Sequence, residues 1–206
     1  MNLSHPLADL LGENMARIIQ RLGMVHTGLS GRRIAELAEV PVASASRVLR
    51  RLETMGLVHT EDVGPSRVYR LNREHVLWNP LDLMVRSPAI IKQAMAQLAA
   101  SAADANTTVA VFGSFARGEG GAESDIDVVI VNGANASEQS RFELADSLHE
   151  RIEEMTGNRL DIIEVDDEHL ARMAASEDPL LDSWAEDGRT VAGPDLIDRI
   201  RRARVQ

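Results

Sequence analysis

The sequence of 206 residues contains no cysteine and a single lysine, Lys92. The absence of cysteine excludes a disulfide framework and any metal site built on thiolates. No apolar run approaches the roughly 20 residues that cross a bilayer, and the first residues lack the basic and then apolar order of a secretory signal. Hydrophobic residues make up 44% of the chain, which is enough to build a core. We therefore expect a globular, cytoplasmic protein with no membrane partner.

Charge is distributed unevenly along the chain. Residues 1–86 contain 11 arginines against 9 acidic residues, a balance of +2, whereas the remainder contains 11 basic and 23 acidic residues, a balance of −12. Opposite signs in the two halves indicate two domains with separate roles. The overall acidity argues against a protein that coats nucleic acid along its whole surface, but it is compatible with a basic face on the first half.

The first half is dominated by helical periodicity. Apolar residues spaced by three or four predict an amphipathic helix over 6–23. The stretch GRRIAELAEVPVASASRVLRRLETMGLVHT predicts two further helices separated at Pro41, because proline cannot continue the first of them. Gly56 ends the second. Two short strands, over 57–59 and 67–71, then enclose a turn at Gly64-Pro65-Ser66.

This order of helices and hairpin is that of a winged helix-turn-helix. The stretch IAELAEVPVASASRVLRRLETMGLV resembles the winged-helix transcription regulators of bacteria, in which the second helix of the pair enters the major groove. The resemblance implies that Ser44, Arg47 and Arg51 face DNA, since offsets of three and seven keep them on one helical face. It also implies that Arg67 in the wing contacts the DNA backbone. Two alternatives stay open: a merely solvated arginine surface, and a winged helix that binds protein or dimerises.

The stretch NREHVLWNPLDLMVRSP, residues 72–88, contains two prolines and no clear period, and it indicates a domain boundary. We therefore predict an α+β winged helix-turn-helix domain over 1–80 that binds DNA. A second domain is predicted over 87–206. It opens with an alanine-rich helix at 90–103 that is expected to pack on the rest of that domain.

The second domain places glycine, serine and acidic residues between apolar strands. Residues 107–112 (TTVAVF) predict a strand that ends at Gly113-Ser114, where a close backbone approach and a hydroxyl suit phosphate binding. Residues 124–131 (SDIDVVIV) predict the next strand, whose alternation puts Asp125 and Asp127 on the same side. Two adjacent carboxylates repel each other unless a cation lies between them, and oxygen ligands favour Mg²⁺ or Mn²⁺.

A third carboxylate, Asp161, lies in the apolar stretch 159–165 (RLDIIEV), which predicts another strand. A carboxylate in such a strand is costly to bury, and a metal site shared between adjacent strands gives it a reason. A helix over 138–155 is predicted to connect the two acidic strands. The residues of this helix expected to cover the sheet are Phe142, Ala145, Leu148, Ile152 and Met155.

The stretch GSFARGEGGAESDID resembles the signature of the polymerase-beta-like nucleotidyltransferases, and it is most similar to the minimal members of that superfamily. The resemblance covers 87–206 and implies an α/β nucleotidyltransferase fold with a mixed sheet flanked by helices. It implies that Gly113 and Ser114 hold the triphosphate of a nucleotide, and that Asp125 and Asp127 bind two Mg²⁺ ions.

The resemblance assigns two further residues. Asp161 is expected to bind one of the metal ions and to help deprotonate the attacking hydroxyl. Arg117 is expected either to stabilise charge on the triphosphate or to form a surface ion pair. The implied reaction is in-line attack of a hydroxyl on the α-phosphate of an NTP, with ATP as the expected donor and pyrophosphate as the leaving group.

The acceptor of the nucleotide stays open and could be a protein side chain, an RNA end or a small molecule. Minimal family members often act as antitoxins that adenylylate a small helical toxin, which makes a toxin partner a hypothesis here. The alternative function is a transcription regulator that senses nucleotide and Mg²⁺ with little or no turnover. Because winged-helix regulators usually bind paired half-sites, we expect a homodimer.

Overall fold

The computed structural model describes residues 1–102 and 104–205. The chain forms two compact units. The first contains Asn2 and residues 4–87, and the second contains Met1, Leu3 and the residues from Pro88 onward. No helix in these described ranges is long and apolar enough to cross a membrane.

The first unit combines helices with a small antiparallel sheet. Its elements are α1 (Ala8–Leu11), α2 (Glu13–Met24), β1 (Leu29–Ser30), α3 (Gly31–Leu37), α4 (Val42–Thr54), β2 (Val58–Val63), β3 (Ser66–Leu71) and α5 (Trp78–Val85). The sheet order is β1-β3-β2, and both pairs of strands are antiparallel. The hairpin of β2 and β3 turns at Gly64-Pro65, between the paired residues Val63 and Ser66.

The core of the first unit is formed by the apolar stripes of α2, α3 and α4. Ile18, Ile34 and Leu49 are fully buried in it. Ser30 caps α3, since its Oγ accepts a hydrogen bond from the backbone N–H of Arg33 at 3.3 Å. Pro41 precedes α4 with φ −53° and ψ 135°, so the break between α3 and α4 lies where the sequence predicts it.

One prediction for the first half is wrong, and the stretch predicted as a domain boundary contains a helix. The single helix over 6–23 is interrupted at Gly12, whose φ of +80° separates α1 from α2. The stretch 72–88 contains the helix α5, with Trp78 buried at 5% exposure. Its prolines do not prevent helix formation, because Pro80 lies in the first turn of α5 and Pro88 lies in the first turn of the following helix.

The second unit contains a four-stranded sheet with helices on both faces. Its elements are α6 (Ser87–Ala102), β4 (Thr108–Phe112), α7 (Gly113–Arg117), β5 (Ile126–Asn132), α8 (Glu138–Thr156), β6 (Leu160–Asp166), α9 (Asp167–Ala175), α10 (Pro179–Asp187), β7 (Arg189–Ala192) and α11 (Leu196–Ala203). The sheet order is β6-β5-β4-β7. Strands β5 and β6 are parallel and the other pairs are antiparallel, so the sheet is mixed, as predicted.

The two central strands are buried on both faces, which explains their continuous apolar sequence. On one face, Val111 and Val128 pack with residues of α6 and α8. On the other face, Phe112 and Val129 pack with residues of α9, α10 and α11. Arg199 of α11 is also buried, and its Nη1 donates a hydrogen bond to the carbonyl of Val131 at 2.7 Å.

The predicted buried side of α8 is partly wrong. Leu148 and Ile152 are fully buried, but Phe142 is 72% exposed. The buried positions are Leu144, Leu148, Ile152 and Thr156, which follow each other at intervals of four. The helix is therefore turned so that Leu144, and not Phe142, covers the sheet at its N-terminal end.

Candidate active site

The connection from β4 to α7 requires glycine at its first position. Gly113 has a φ of +66°, a conformation that L side chains rarely adopt. A Cβ at this position would also collide with the carboxylate of Asp127. Ser114 follows on α7, which ends at Gly118 with a φ of +75°. The Gly-Ser turn of the predicted signature therefore lies directly against one of the predicted acidic residues.

The strand register brings the acidic residues together. Asp127 of β5 lies between two neighbours in the sheet: it is paired with Phe112 of the antiparallel strand β4 and with Asp161 of the parallel strand β6. Laterally paired residues point to the same face of a sheet. Asp125 precedes β5 by one residue. The structure thus places Asp127 and Asp161 side by side, with Asp125 at the entrance to the same strand.

The electrostatics of Asp127 reflect this crowding. Burial raises the pKa of the Asp127 carboxyl above its usual value of 3.8, and the charges of Asp161 and Asp125 raise it further. The guanidinium of Arg117 acts in the opposite direction, while the charge of Asp187 adds a smaller increase to the pKa. Several negative charges therefore converge on one carboxylate, and a cation bound there would relieve their repulsion.

Asp161 is more accessible than Asp127 and has a basic neighbour. Its Oδ1 lies 2.7 Å from Nη2 of Arg159, and 41% of its side chain is exposed. It lines an open groove of about 660 Å³ together with His149, Glu153 and Asn158, among other residues. The groove thus runs along the edge strand β6, with Asp161 among the residues that line it.

The donor atoms of the acidic cluster suit a hard divalent cation. Asp125, Asp127 and Asp161 offer only carboxylate oxygens, which Mg²⁺ and Mn²⁺ prefer. Within the described part of the chain, no three histidine or acidic side chains are grouped closely enough to form a complete metal site by themselves. Mg²⁺ usually keeps several waters and substrate phosphates as ligands, so a site of few protein ligands is compatible with it.

Arg117 is held by two carboxylates, one of which sequence reasoning missed. Its Nε lies 2.8 Å from Glu119, and its Nη1 forms a close ion pair with Asp187 at the end of α10. Asp187 is only 5% exposed, and its Oδ1 has no hydrogen-bond partner among the described residues. An acidic residue at a helix C-terminus opposes the helix dipole, which is the one sequence signal that could have pointed to Asp187.

The predicted DNA-contacting residues of α4 lie together on the surface. Arg47 and Arg51 are exposed, and Nη2 of Arg47 donates a hydrogen bond to Oγ of Ser44 at 3.3 Å. These three residues line a shallow depression with Asn14, Met15 and Val48.

Arg67 has different surroundings. Its Nη2 forms a close ion pair with Glu53 and donates a hydrogen bond to Oγ1 of Thr60 at 3.1 Å. The Arg67 guanidinium is thus held between the end of α4 and the hairpin, although about half of its side chain stays exposed.

Comparison with known families agrees with the geometry of the acidic cluster and the Gly-Ser turn. The nucleotidyltransferase domain family matches residues 90–189. The segment contains both the Gly-Ser turn and the acidic residues, and the match supports the prediction of a nucleotidyltransferase enzyme. Nucleotidyltransferase domains generally use an NTP and a divalent metal ion.

The solved structures with a distant likeness to the chain include the following two, and no curated protein matches it. One is described as the crystal structure of the toxin-antitoxin with AMP-PNP. Its sequence is 18% identical, and the alignment covers 55% of this chain and 81% of the other chain, with a TM-score of 0.38. The other is TrmBL2, described as an archaeal chromatin protein with a novel mode of DNA binding. Its sequence is 16% identical, and the alignment covers 88% of this chain and 76% of the other chain, with a TM-score of 0.30.

Proposed function

We propose that the chain transfers a nucleoside monophosphate from an NTP, with ATP as the expected donor, to a hydroxyl of a protein, RNA or small molecule. The observation that carries this proposal is the alignment of Asp127 with Asp161 on neighbouring strands, directly against the Gly113 turn. A nucleotidyl transfer needs this combination, because the phosphates must approach the backbone closely while carboxylates hold a cation beside them. A helical toxin remains one candidate for a protein acceptor.

Asp125, Asp127 and Asp161 are the residues that would hold Mg²⁺ or Mn²⁺. When bound, the metal would supply positive charge to the α-phosphate and to the attacking and leaving oxygens. Burial and the charges of Asp161 and Asp125 raise the pKa of Asp127, and a bound cation would offset both of these costs to the ionised form, which supports this assignment. The oxygen-only donor set is also the one that these hard cations favour.

Gly113, Ser114 and Arg117 are proposed to bind the triphosphate. Gly113 leaves the backbone of the turn accessible, and Ser114 adds a hydroxyl next to it. Arg117 would neutralise phosphate charge while its ion pair with the buried Asp187 fixes the position of its side chain. In the reaction a bond forms between the acceptor oxygen and the α-phosphorus, and the bond from the α-phosphorus to the bridging oxygen breaks, releasing pyrophosphate.

We propose that the acceptor approaches through the groove beside Asp161. Asp161 is one of the residues that line the groove, 41% of its side chain is exposed, and it lies next to Asp127 in the sheet. Asp161 is therefore positioned to accept the proton of the attacking hydroxyl. The ion pair with Arg159 would hold the Asp161 carboxylate in position before the acceptor arrives.

We propose that the first unit binds DNA as a winged helix-turn-helix and acts in transcriptional regulation or targeting. The helices α3 and α4, followed by an antiparallel hairpin, support this interpretation. Arg47, Arg51 and Ser44 are the proposed contacts on α4, and Arg67 is the proposed contact in the wing. A homodimer would match paired half-sites on the DNA.

The test of the transferase is label transfer. Purified protein is incubated with Mg²⁺, a lysate of the source cells and each of four NTPs labelled at the α-phosphate. The control variants are Asp125→Asn/Asp127→Asn and, as a matched change on the surface of α8, Asp146→Asn. We expect a labelled product with the wild type and with Asp146→Asn, but not with the double variant. Nucleotide binding without any labelled product would instead favour a nucleotide-sensing regulator.

A further inference from the structure

Lys92, the only lysine of the chain, lies next to the phosphate-binding turn. It is half-buried on α6, and its Nζ lies 5.3 Å from the centroid of the Phe115 ring. Phe115 is buried and follows the Gly113-Ser114 turn directly. The ammonium group is thus held over an aromatic face, an arrangement that fixes its position while leaving its remaining N–H donors available.

A second cation, Arg189, lies close enough to Lys92 to affect its charge. Arg189 is the first residue of β7, and it is paired in the sheet with Val111, two residues before Gly113. Its Nη1 donates hydrogen bonds to the carbonyls of Gly188 at 2.9 Å and Glu186 at 3.3 Å. These bonds fix one end of the guanidinium and leave its other N–H groups free to bind a ligand.

The two cations are not neutralised by the protein. The charge of Arg189 adds to the effect of burial in lowering the pKa of Lys92 below its usual value of 10.5. In the ranges that the structure describes, neither side chain has a carboxylate within 4.0 Å, whereas Arg117 on the same turn has two. A half-buried ammonium with a second positive charge near it costs stability, and an anion bound beside both cations would offset this cost.

We propose that Lys92 and Arg189 form a phosphate site that receives the two terminal phosphates of the NTP and then the pyrophosphate product. The site rests on the proposed nucleotidyl transfer. Asp127 and Asp161 share the face of the sheet on which Phe112 lies, whereas Val111, the partner of Arg189, lies on the face covered by α6. The triphosphate would cross the turn, with its α-phosphate beside the acids and its terminal phosphates beside the cations.

Cations placed at the terminal phosphates, away from the carboxylates, would assist the reaction. The leaving pyrophosphate gains negative charge as the bond to the α-phosphorus breaks, and cations at its far end stabilise that charge. The same cations draw the anionic tail away from the carboxylates, which would otherwise repel it. Arginine and lysine are both suited to phosphate, the first as a planar fork and the second as a compact charge.

A single lysine makes the site directly observable. Reductive methylation with ¹³C-formaldehyde labels Lys92 and the N-terminal amine while retaining their charges, so the Lys92 methyl signal reports on its surroundings in the full-length chain. We expect pyrophosphate, without divalent metal, to move this signal and to raise the pKa of Lys92. Arg189→Gln should weaken pyrophosphate binding about tenfold or more, which is the usual effect of losing one charged contact. The exposed Arg172→Gln should leave it unchanged.

Further ligands and one further variant identify the source of the phosphate. ATP should compete with pyrophosphate for the site, whereas AMP should not; an equal response to AMP would instead assign the site to an acceptor monophosphate and overturn the proposal. The titration is repeated in Asp125→Asn/Asp127→Asn, where a retained response keeps the phosphate site even if nucleotidyl transfer is never observed. Two further results would overturn the proposed phosphate site. One is a Lys92 signal that does not move in millimolar pyrophosphate, and the other is an unchanged pyrophosphate affinity in Arg189→Gln.

Discussion

The candidate residues of the two units are held in place in different ways. In the first unit, Arg47 and Arg51 extend from the exposed side of α4, and the only side-chain hydrogen bond described for either joins Arg47 to Ser44. In the second unit, Asp127 is fixed by strand register between Phe112 and Asp161, and it lies against a glycine with a positive φ. Backbone geometry determines the acidic cluster, whereas only helical periodicity determines the arginine face.

The two units are proposed to bind ligands of opposite charge. The carboxylates of the acidic cluster repel one another and would be stabilised by a cation, while the arginine face would be stabilised by phosphates. The charge balances of +2 and −12 in the two halves of the chain follow the same division. A change at the cluster should therefore affect both stability and chemistry, but a change on the arginine face should affect binding alone.

The largest effect is expected from Gly113→Ala. The added Cβ would collide with the Asp127 carboxylate at a φ of +66°. Such strain costs on the order of 1–3 kcal/mol, and moving Asp127 should also abolish label transfer. The measurements are the thermal midpoint and the transfer rate.

Gly157→Ala is the matched control for this change, because its φ is +69° and a Cβ there meets nothing within 4 Å. It should share the backbone strain but retain transfer. Equal activity in the two variants would mean that the close approach of Gly113 to Asp127 is not needed for the reaction.

A smaller effect, confined to DNA, is expected from Arg47→Ala/Arg51→Ala. Losing two phosphate or base contacts should weaken binding to a promoter fragment about tenfold or more and should reduce the slope of log affinity against log salt by about two. The thermal midpoint and the label transfer should stay unchanged, because both side chains are exposed. Fluorescence anisotropy at several salt concentrations measures the affinity and the slope.

The control for this change is Arg21→Ala/Arg86→Ala, which removes the same charge from other exposed positions of the first unit. If it weakens binding as much as Arg47→Ala/Arg51→Ala does, α4 has no special role and only the net charge of the unit matters.

The sequence predicts the local features of the second unit well because they depend on neighbouring residues. Asp125 and Asp127 are two positions apart, and Gly113 ends a strand with a composition typical of buried strands. Which face of α8 is buried is harder to predict, because a helical pattern of apolar residues that starts at Phe142 and one that starts at Leu144 both include Leu148 and Ile152. Only the packed sheet decides between them, and it buries Leu144.

Long-range partners could not be predicted from the sequence. Asp187 reaches Arg117 because α10 packs on the sheet through Trp184, whose ring makes an edge contact with Phe112 at 5.8 Å between centroids. Neither the motif nor the helical period encodes that approach. The proximity of Lys92 and Arg189 has the same origin, since it depends on how α6 packs on α7 and on how β7 pairs with β4.

The smallest effect is a gain in stability from a change that should remove activity. Asp127→Asn eliminates a carboxylate whose pKa is raised in the folded protein by burial and by its acidic neighbours. A carboxyl with a raised pKa destabilises the fold while it is ionised, and this cost is lost as the pH falls through its pKa toward the usual value of 3.8. In EDTA at neutral pH, the variant should therefore melt about 2–4 °C higher, the shift that about 1 kcal/mol gives in a domain of this size.

The difference in melting temperature between Asp127→Asn and wild type should shrink as the pH is lowered, since protonation then removes the same charge from the wild type. Added Mg²⁺ should stabilise the wild type more than the variant, because a bound cation offsets the repulsion only where the carboxylate exists. A variant that melts below the wild type in EDTA at neutral pH would mean that hydrogen bonds of Asp127 outweigh its repulsion. The acidic cluster would then be stable without a cation, and electrostatic repulsion would not distinguish it from the arginine face.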